Sequence, residues 1–205
     1  AASTMQPMSD HALSAAGDSA QERAARLLIT PDALAGLRIE DARQVVRYMR
    51  PMRIEAGTAF IEAGEAESTD YMLLVIDGDV TVESQASPTS EGMVVTVLGP
   101  GSLIGAMGLI DGEPRSATCT AGTDLSVALL TREALMRLMD EQPAVAARLL
   151  LAISKCLSDY VRDANRKLMT VTQVSRALQG ELDAAHAVNR RLLLARPHAN
   201  PDSKV

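Results

Sequence analysis

The chain has 205 residues, of which 47% are hydrophobic and only 2% aromatic, and its formal net charge is −6. That length fits one domain with an appendage, or two small domains, around an aliphatic, methionine-rich core. The negative balance argues against general affinity for nucleic acid, where cations must neutralise phosphates, and no apolar run reaches membrane-spanning length.

In chain order, residues 1–21 are rich in Ser, Ala and Asp without a period and read as a flexible N-terminal tail. Glu22 to Leu28 predicts a short helix that Pro31 stops, and Leu34 to Met49 predicts a second, with Ala42, Val45, Val46 and Met49 at helical spacing. From Pro51 the pattern changes to short strands separated by turn signals: Met52–Glu55, Ala59–Glu62, Tyr71–Ile76, Val80–Ser84, Met93–Leu98, Ala117–Ala121 and Leu125–Leu130. Asp77-Gly78 marks a hairpin, and Gln85 to Gly92 is a polar loop. The pattern suits a jelly-roll β-barrel of about eight strands.

Thr131 is the expected N-cap of a helix to Met139. Pro143 then fits the first turn of a very long helix, interrupted only by Gly180, a candidate break. Apolar residues recur along it at alternating spacings of three and four, through Leu150, Leu157, Ala164, Val171, Leu178, Ala185 and Leu192. That is a coiled-coil seam with stutters, for which a parallel homodimer is the natural partner. Thr170 to Gly180 looks like a helix-turn-helix recognition helix, but the upstream residues continue the seam without a turn. The expected domains are therefore a tail at 1–21, a barrel with flanking helices at 22–142, a dimerisation helix at 143–195 and a tail at 196–205.

Within the barrel, one stretch carries the chemistry: GSLIGAMGLIDGEPRSAT, from Gly101 to Thr118. Glycines at 105, 108 and 112 would let backbone N–H groups approach a ligand, and a helical turn from Ala106 would aim further N–H groups at an anion. Arg115 is the only lysine or arginine between Glu55 and Thr131, and Ser116 adds a hydroxyl donor. Two roles fit Arg115: a phosphate clamp, or a structural arginine paired with a carboxylate such as Asp111 or Glu113.

This stretch resembles the phosphate-binding cassette of cyclic-nucleotide-binding domains, as in the catabolite activator and FNR-like regulators and the regulatory subunits of protein kinase A. Ile104-Gly105 matches its opening, Met107 to Ile110 its apolar run and Pro114-Arg115-Ser116-Ala117 its end, without a gap. The likeness extends from about Leu34 to Tyr160. It implies a ligand site formed by Gly105, Ala106, Met107, Arg115, Ser116, Ala117 and Tyr160, with a cyclic nucleotide as ligand and no other cofactor. Ala106 replaces the family glutamate that accepts a hydrogen bond from the ribose 2′-hydroxyl. Three outcomes follow: weak binding of a cyclic mononucleotide, preference for another anion such as a cyclic dinucleotide, or a fold that has lost its ligand. Tyr160 either contacts a base or packs in the dimer seam.

His11, His186 and His198 lie outside the strands, so no metal site is expected, and no nucleophilic or paired-carboxylate arrangement points to an enzyme. Cys119 and Cys156 read as buried free thiols in a reducing compartment. With no apolar leader in the sequence, the protein reads as cytoplasmic. The residues after Leu194 are too few for the winged helix that follows the dimer helix in the family. The expectation is a non-catalytic dimeric sensor that signals to a protein partner, without direct DNA or membrane binding. The alternative is a degenerate barrel acting as a ligand-free dimerisation scaffold.

Overall fold

The structure, a computed structural model, describes residues 6–7, 16–31, 33–67, 69–85 and 93–194. The expected loop over Gln85 to Gly92, apart from Gln85 itself, lies outside these residues, as do the C-terminal tail, His11 and His198. The chain divides into two compact units, residues 1–157 and 158–205.

Two antiparallel sheets form the centre of the first unit. Their strands are β1 (Gln6–Pro7), β2 (Arg50–Ile54), β3 (Ala59–Ile61), β4 (Tyr71–Asp77), β5 (Val80–Gln85), β6 (Met93–Leu98), β7 (Leu103–Ile104), β8 (Thr118–Ala121) and β9 (Leu125–Thr131). One sheet runs β1-β2-β9-β4-β7 and the other β3-β8-β5-β6. This is the expected jelly-roll architecture, with β1 and β7 added. Each of these has only two residues, too few to show a period of two in sequence.

The helices are α1 (Ala16–Leu28), α2 (Ile39–Val46), α3 (Ala106–Asp111), α4 (Arg132–Glu141) and α5 (Pro143–Leu194). Two expectations for the N-terminal segment are corrected. Gln6 and Pro7 pair with Arg53 and Met52, and α1 begins at Ala16. Once Ala24, Ala25 and Leu28 are anchored in the core, the helix is already nucleated and extends backwards over Gly17, Asp18 and Ser19 despite their low propensity. The second predicted helix is shorter than its apolar spacing suggests, because residues 34–37 turn rather than coil.

β4 organises the packing. Its alternate residues serve two cores. Leu73 and Val75 face the space between the sheets with Ile54, Phe60, Val80, Cys119 and Val127. Met72 and Leu74 face the helices, with Leu28, Val45, Leu109, Leu130, Leu138 and Leu149. All four β4 residues are fully buried, and burying an aliphatic side chain stabilises by about 1.5–3 kcal/mol. This double burial explains why β4 reads as an unbroken apolar run rather than an alternating one.

The helix ends follow local chemistry. The Thr131 hydroxyl accepts from the Ala134 N–H at 3.2 Å, the expected cap. Pro143 bars the residue before it from helical geometry, and Gln142 sits at φ −140°, ψ 65°, which separates α4 from α5. The first four turns of α5 bury Val145, Ala146, Leu149, Ala152 and Ile153 in the helical core. In the second unit α5 continues through Gly180 without a break. There Val161, Leu168, Val171, Val174, Leu178, Leu182 and Val188 are all about half exposed or more. Val171, Val174, Leu178 and Leu182 line a shallow apolar groove. Among the described residues, no helix is long and apolar enough to cross a membrane.

One ion pair joins the first turns of α5 to α2. Arg148 donates two hydrogen bonds to Asp41, at 2.7 and 2.8 Å, and Arg38 adds a third at 3.1 Å. The Asp41 side chain is 5% exposed against 41% for Arg148. The Arg148 bond holds the Asp41 carboxyl below the usual carboxylate range, against burial, with Arg38 helping. Removing Arg148 leaves the Asp41 carboxylate short of its main partner, so Arg148→Met should lower the midpoint of denaturant unfolding. Because the folded pKa is the lower one, this stabilisation is complete above the ordinary Asp value. It is lost as pH falls through that value towards the folded one. Stability of the Arg148→Met variant should therefore depend less on pH below about 4.

Candidate functional site

The site is built where β4, β7, α3 and the 112–117 turn meet. α3 starts at Ala106, as expected, with Gly105 before it at φ 80°, a left-handed conformation natural to glycine. The turn after α3 is stitched to the segment between β3 and β4. Arg115 N–H donates to Glu65 O at 2.9 Å and Gly64 N–H to Arg115 O at 2.8 Å. The Thr69 hydroxyl donates to Gly112 O at 2.9 Å. These partners lie more than forty residues away in sequence, which puts them beyond pattern reading.

Arg115 does not stand as an open fork. It points inward and is only 6% exposed. Its guanidinium donates to Gly105 O at 3.3 Å and Tyr71 O at 3.2 Å, and its Cζ lies 4.3 Å from the centroid of the Tyr71 ring. Nε is buried without a hydrogen-bond partner. Neither Asp111 nor Glu113 pairs with it; among the described residues Arg115 takes part in no ion pair.

The nearby acids do not supply the missing anion. Burial pushes the Cys119 thiol up to about 11, although the Arg115 charge pulls it down. Burial also raises Tyr71, again against Arg115. Both groups stay protonated at neutral pH. The result is a buried cation held by two carbonyl dipoles and a ring face, with donor capacity unspent.

This placement changes the role of the glycines. A Cβ on Gly105 would lie 2.6 Å from Arg115 Nη1, and one on Gly108 would lie 2.5 Å from Thr69 O and 2.8 Å from Arg115 Nη1. Gly105 and Gly108 make room for the Arg115 side chain and, at 108, for the Thr69 carbonyl. The last turn of α3 is held by a residue that sequence reasoning passed over. Arg132, at the head of α4, donates to Leu109 O at 3.1 Å and Gly108 O at 3.3 Å. A cation on helix-terminal carbonyls is favourable, but α3 has no basic residue of its own to announce it.

The other expected site residues are distributed as follows. Ser116 is exposed beside Arg115 and Ala117 is half-buried. Met107 is 55% exposed, whereas Ala106 is buried in the helical core with Leu103 and Leu109. The structure thus brings Gly105 and Arg115 into contact, with Tyr71 as an additional member. Tyr160 belongs to the second unit and is half exposed. Among the described residues no three His, Cys, Asp or Glu side chains gather as a metal would require. Because backbone oxygen blocks any Cβ at 108, Gly108→Ala should destabilise by about 1–3 kcal/mol, measured as a lowered midpoint in urea.

Residues 51–142 match the family model described as cyclic nucleotide-binding domain. A cyclic nucleotide-gated potassium channel of Rhizobium etli is 34% identical over 103 residues, which cover 50% of this chain and 26% of the channel. The chain therefore spans about a quarter of that relative's length. Among solved structures, a cyclic nucleotide-binding domain from Methylobacillus flagellatus superposes with a TM-score of 0.63 at 26% identity, covering 75% of this chain and 84% of that one. The catabolite activator protein of Thermus thermophilus superposes with a TM-score of 0.56 at 27% identity, covering 67% and 61%. With the family match running from β2 through both sheets and the cassette to the end of α4, this chain carries a domain of the cyclic nucleotide-binding family.

Proposed function

We propose that this protein is a non-catalytic sensor that binds the phosphodiester of a cyclic mono- or dinucleotide, or a similar anion, at Arg115. The observation that carries this reading is the buried guanidinium without an ion-pair partner. A desolvated cation gains most from an anion that enters its low-dielectric surroundings. Ser116 adds an exposed hydroxyl donor next to it, with Gly105 and Ala117 flanking the guanidinium and Met107 exposed on α3, while Ala106 turns into the core.

Occupancy would be felt in α5. Ala106 and Leu109 of α3 share one core cluster with Val145, Ala146, Leu149 and Ile153 of α5. An anion that draws Arg115 from Gly105 O would shift α3 and with it this cluster, between two packings. Output then passes along α5, whose exposed apolar seam suits a homodimer and contact with a protein partner. Tyr160 sits at the start of that seam. The acidic balance favours a protein rather than DNA or an anionic membrane as that partner.

A second reading, a ligand-free scaffold, is favoured by Ala106, which lies in the core and offers a ligand no acceptor. Isothermal titration with cyclic AMP, cyclic GMP and cyclic di-GMP separates the two. On the sensor reading at least one binds, and Arg115→Met, shown to be folded by circular dichroism at the titration temperature, weakens it roughly ten- to a hundredfold. On the scaffold reading no nucleotide releases or absorbs heat, and Arg115→Met leaves partner binding intact. In either case Leu178→Asp, which puts a charge on the seam, should weaken association through α5, read as a higher dissociation constant in sedimentation velocity.

A further inference from the structure

β6 forms one edge of its sheet; among the described residues it pairs only with β5. Edge strands are normally blunted by charge, proline, a bulge or brevity. Met93–Leu98, reading MVVTVL, has no charge and no proline, and its six residues pair with β5 in unbroken register.

The two faces of this sheet differ in a telling way. Val80, Cys119 and Ala121 mark the inner face, which packs in the core. Register then places Thr118 and Thr120 of β8, Thr81 and Glu83 of β5, and Val95 and Val97 of β6 on the outer face. That face is polar on the two inner strands and apolar only on the edge. Val95 is 55% exposed and Val97 65%. Such side chains are out of place against water but suit a strand added alongside.

The edge is also self-complementary. Set antiparallel to a copy of itself about Thr96, β6 faces Val95 with Val97 and Thr96 with Thr96. Every pair is like with like and none sets charges against each other. A two-fold interface requires this property, and a strand from an unrelated partner would not. We propose that the β6 edges of two copies pair antiparallel about Thr96, joining two four-stranded sheets into one. The added ladder satisfies outward backbone N–H and C=O groups, and two Val95–Val97 contacts cover the exposed apolar row. This interface is separate from the seam of α5 and from the Arg115 site, and it does not depend on either reading.

A register-specific cross-link tests the pairing. Directly opposed residues of an antiparallel pair lie within disulfide reach. In a full-length Cys156→Ser, Leu178→Asp background, which removes the half-buried thiol and blocks the seam, Thr96→Cys should oxidise to a covalent dimer. The yield should be about tenfold above that of Thr81→Cys on the neighbouring strand. Adding Val95→Lys and Val97→Lys, which oppose like charges across the axis, should abolish it. Circular dichroism of each variant should match the parent chain, as expected for exposed positions. Equal yields from Thr96→Cys and Thr81→Cys, or a yield unaffected by the lysines, would overturn the proposal.

Discussion

The buried guanidinium of Arg115 is the constraint on which the rest of the site depends. A charge taken out of water must recover its solvation from the protein. Here it does so from two main-chain carbonyls and the face of Tyr71, not from a carboxylate. The carbonyl of Gly105 belongs to the residue that caps α3, and that of Tyr71 to the first residue of β4. One side chain therefore ties the cassette helix to the strand with both faces buried. The glycines at 105 and 108 are what allow so large a group to lie there.

Much of this was legible in sequence and some was not, for reasons that differ by residue. The strands from β2 to β9 announce themselves by short apolar runs between turns, and the long helix by its spacing from Pro143. β7 escapes because two residues have no period. Arg115 stands out as the lone cation of the sheet region, but its inward direction depends on Tyr71, 44 residues away. Gly105 and Gly108 are visible as a glycine-rich run. Whether glycine admits a ligand or a neighbouring side chain is a question of tertiary packing, and a run of letters carries no information on it. Arg132 and Arg148 are equally silent, since the carbonyls and carboxylate they hold belong to other elements.

These non-local arginines share a logic. Arg132 holds the end of α3 from the head of α4. Arg148 holds Asp41 of α2 from the first turns of α5. Tyr48, just past α2, donates to Glu141 at the end of α4 at 2.6 Å. Each bond joins elements whose apolar faces already meet in one cluster. Apolar contacts supply most of the attraction but little direction, whereas a bidentate arginine admits one geometry. The polar links thus select, among the ways these helices could slide over β4, a single arrangement.

That division of labour matters for how a cassette of six helical residues could influence a helix of 52. α3 is too short to be stable alone, so its position is set by what grips it: Arg115 from below, Arg132 at its end and Leu109 in the core. Of these, Arg132 and Leu109 are satisfied by protein groups. Arg115 alone retains a buried donor with no partner. A change in the surroundings of that guanidinium is therefore the least costly way to move α3. Since Leu109 packs in the same cluster as Leu149 and Ile153, the proposed sensor would pass such a movement to the base of α5 by contact, with no longer-range mechanism.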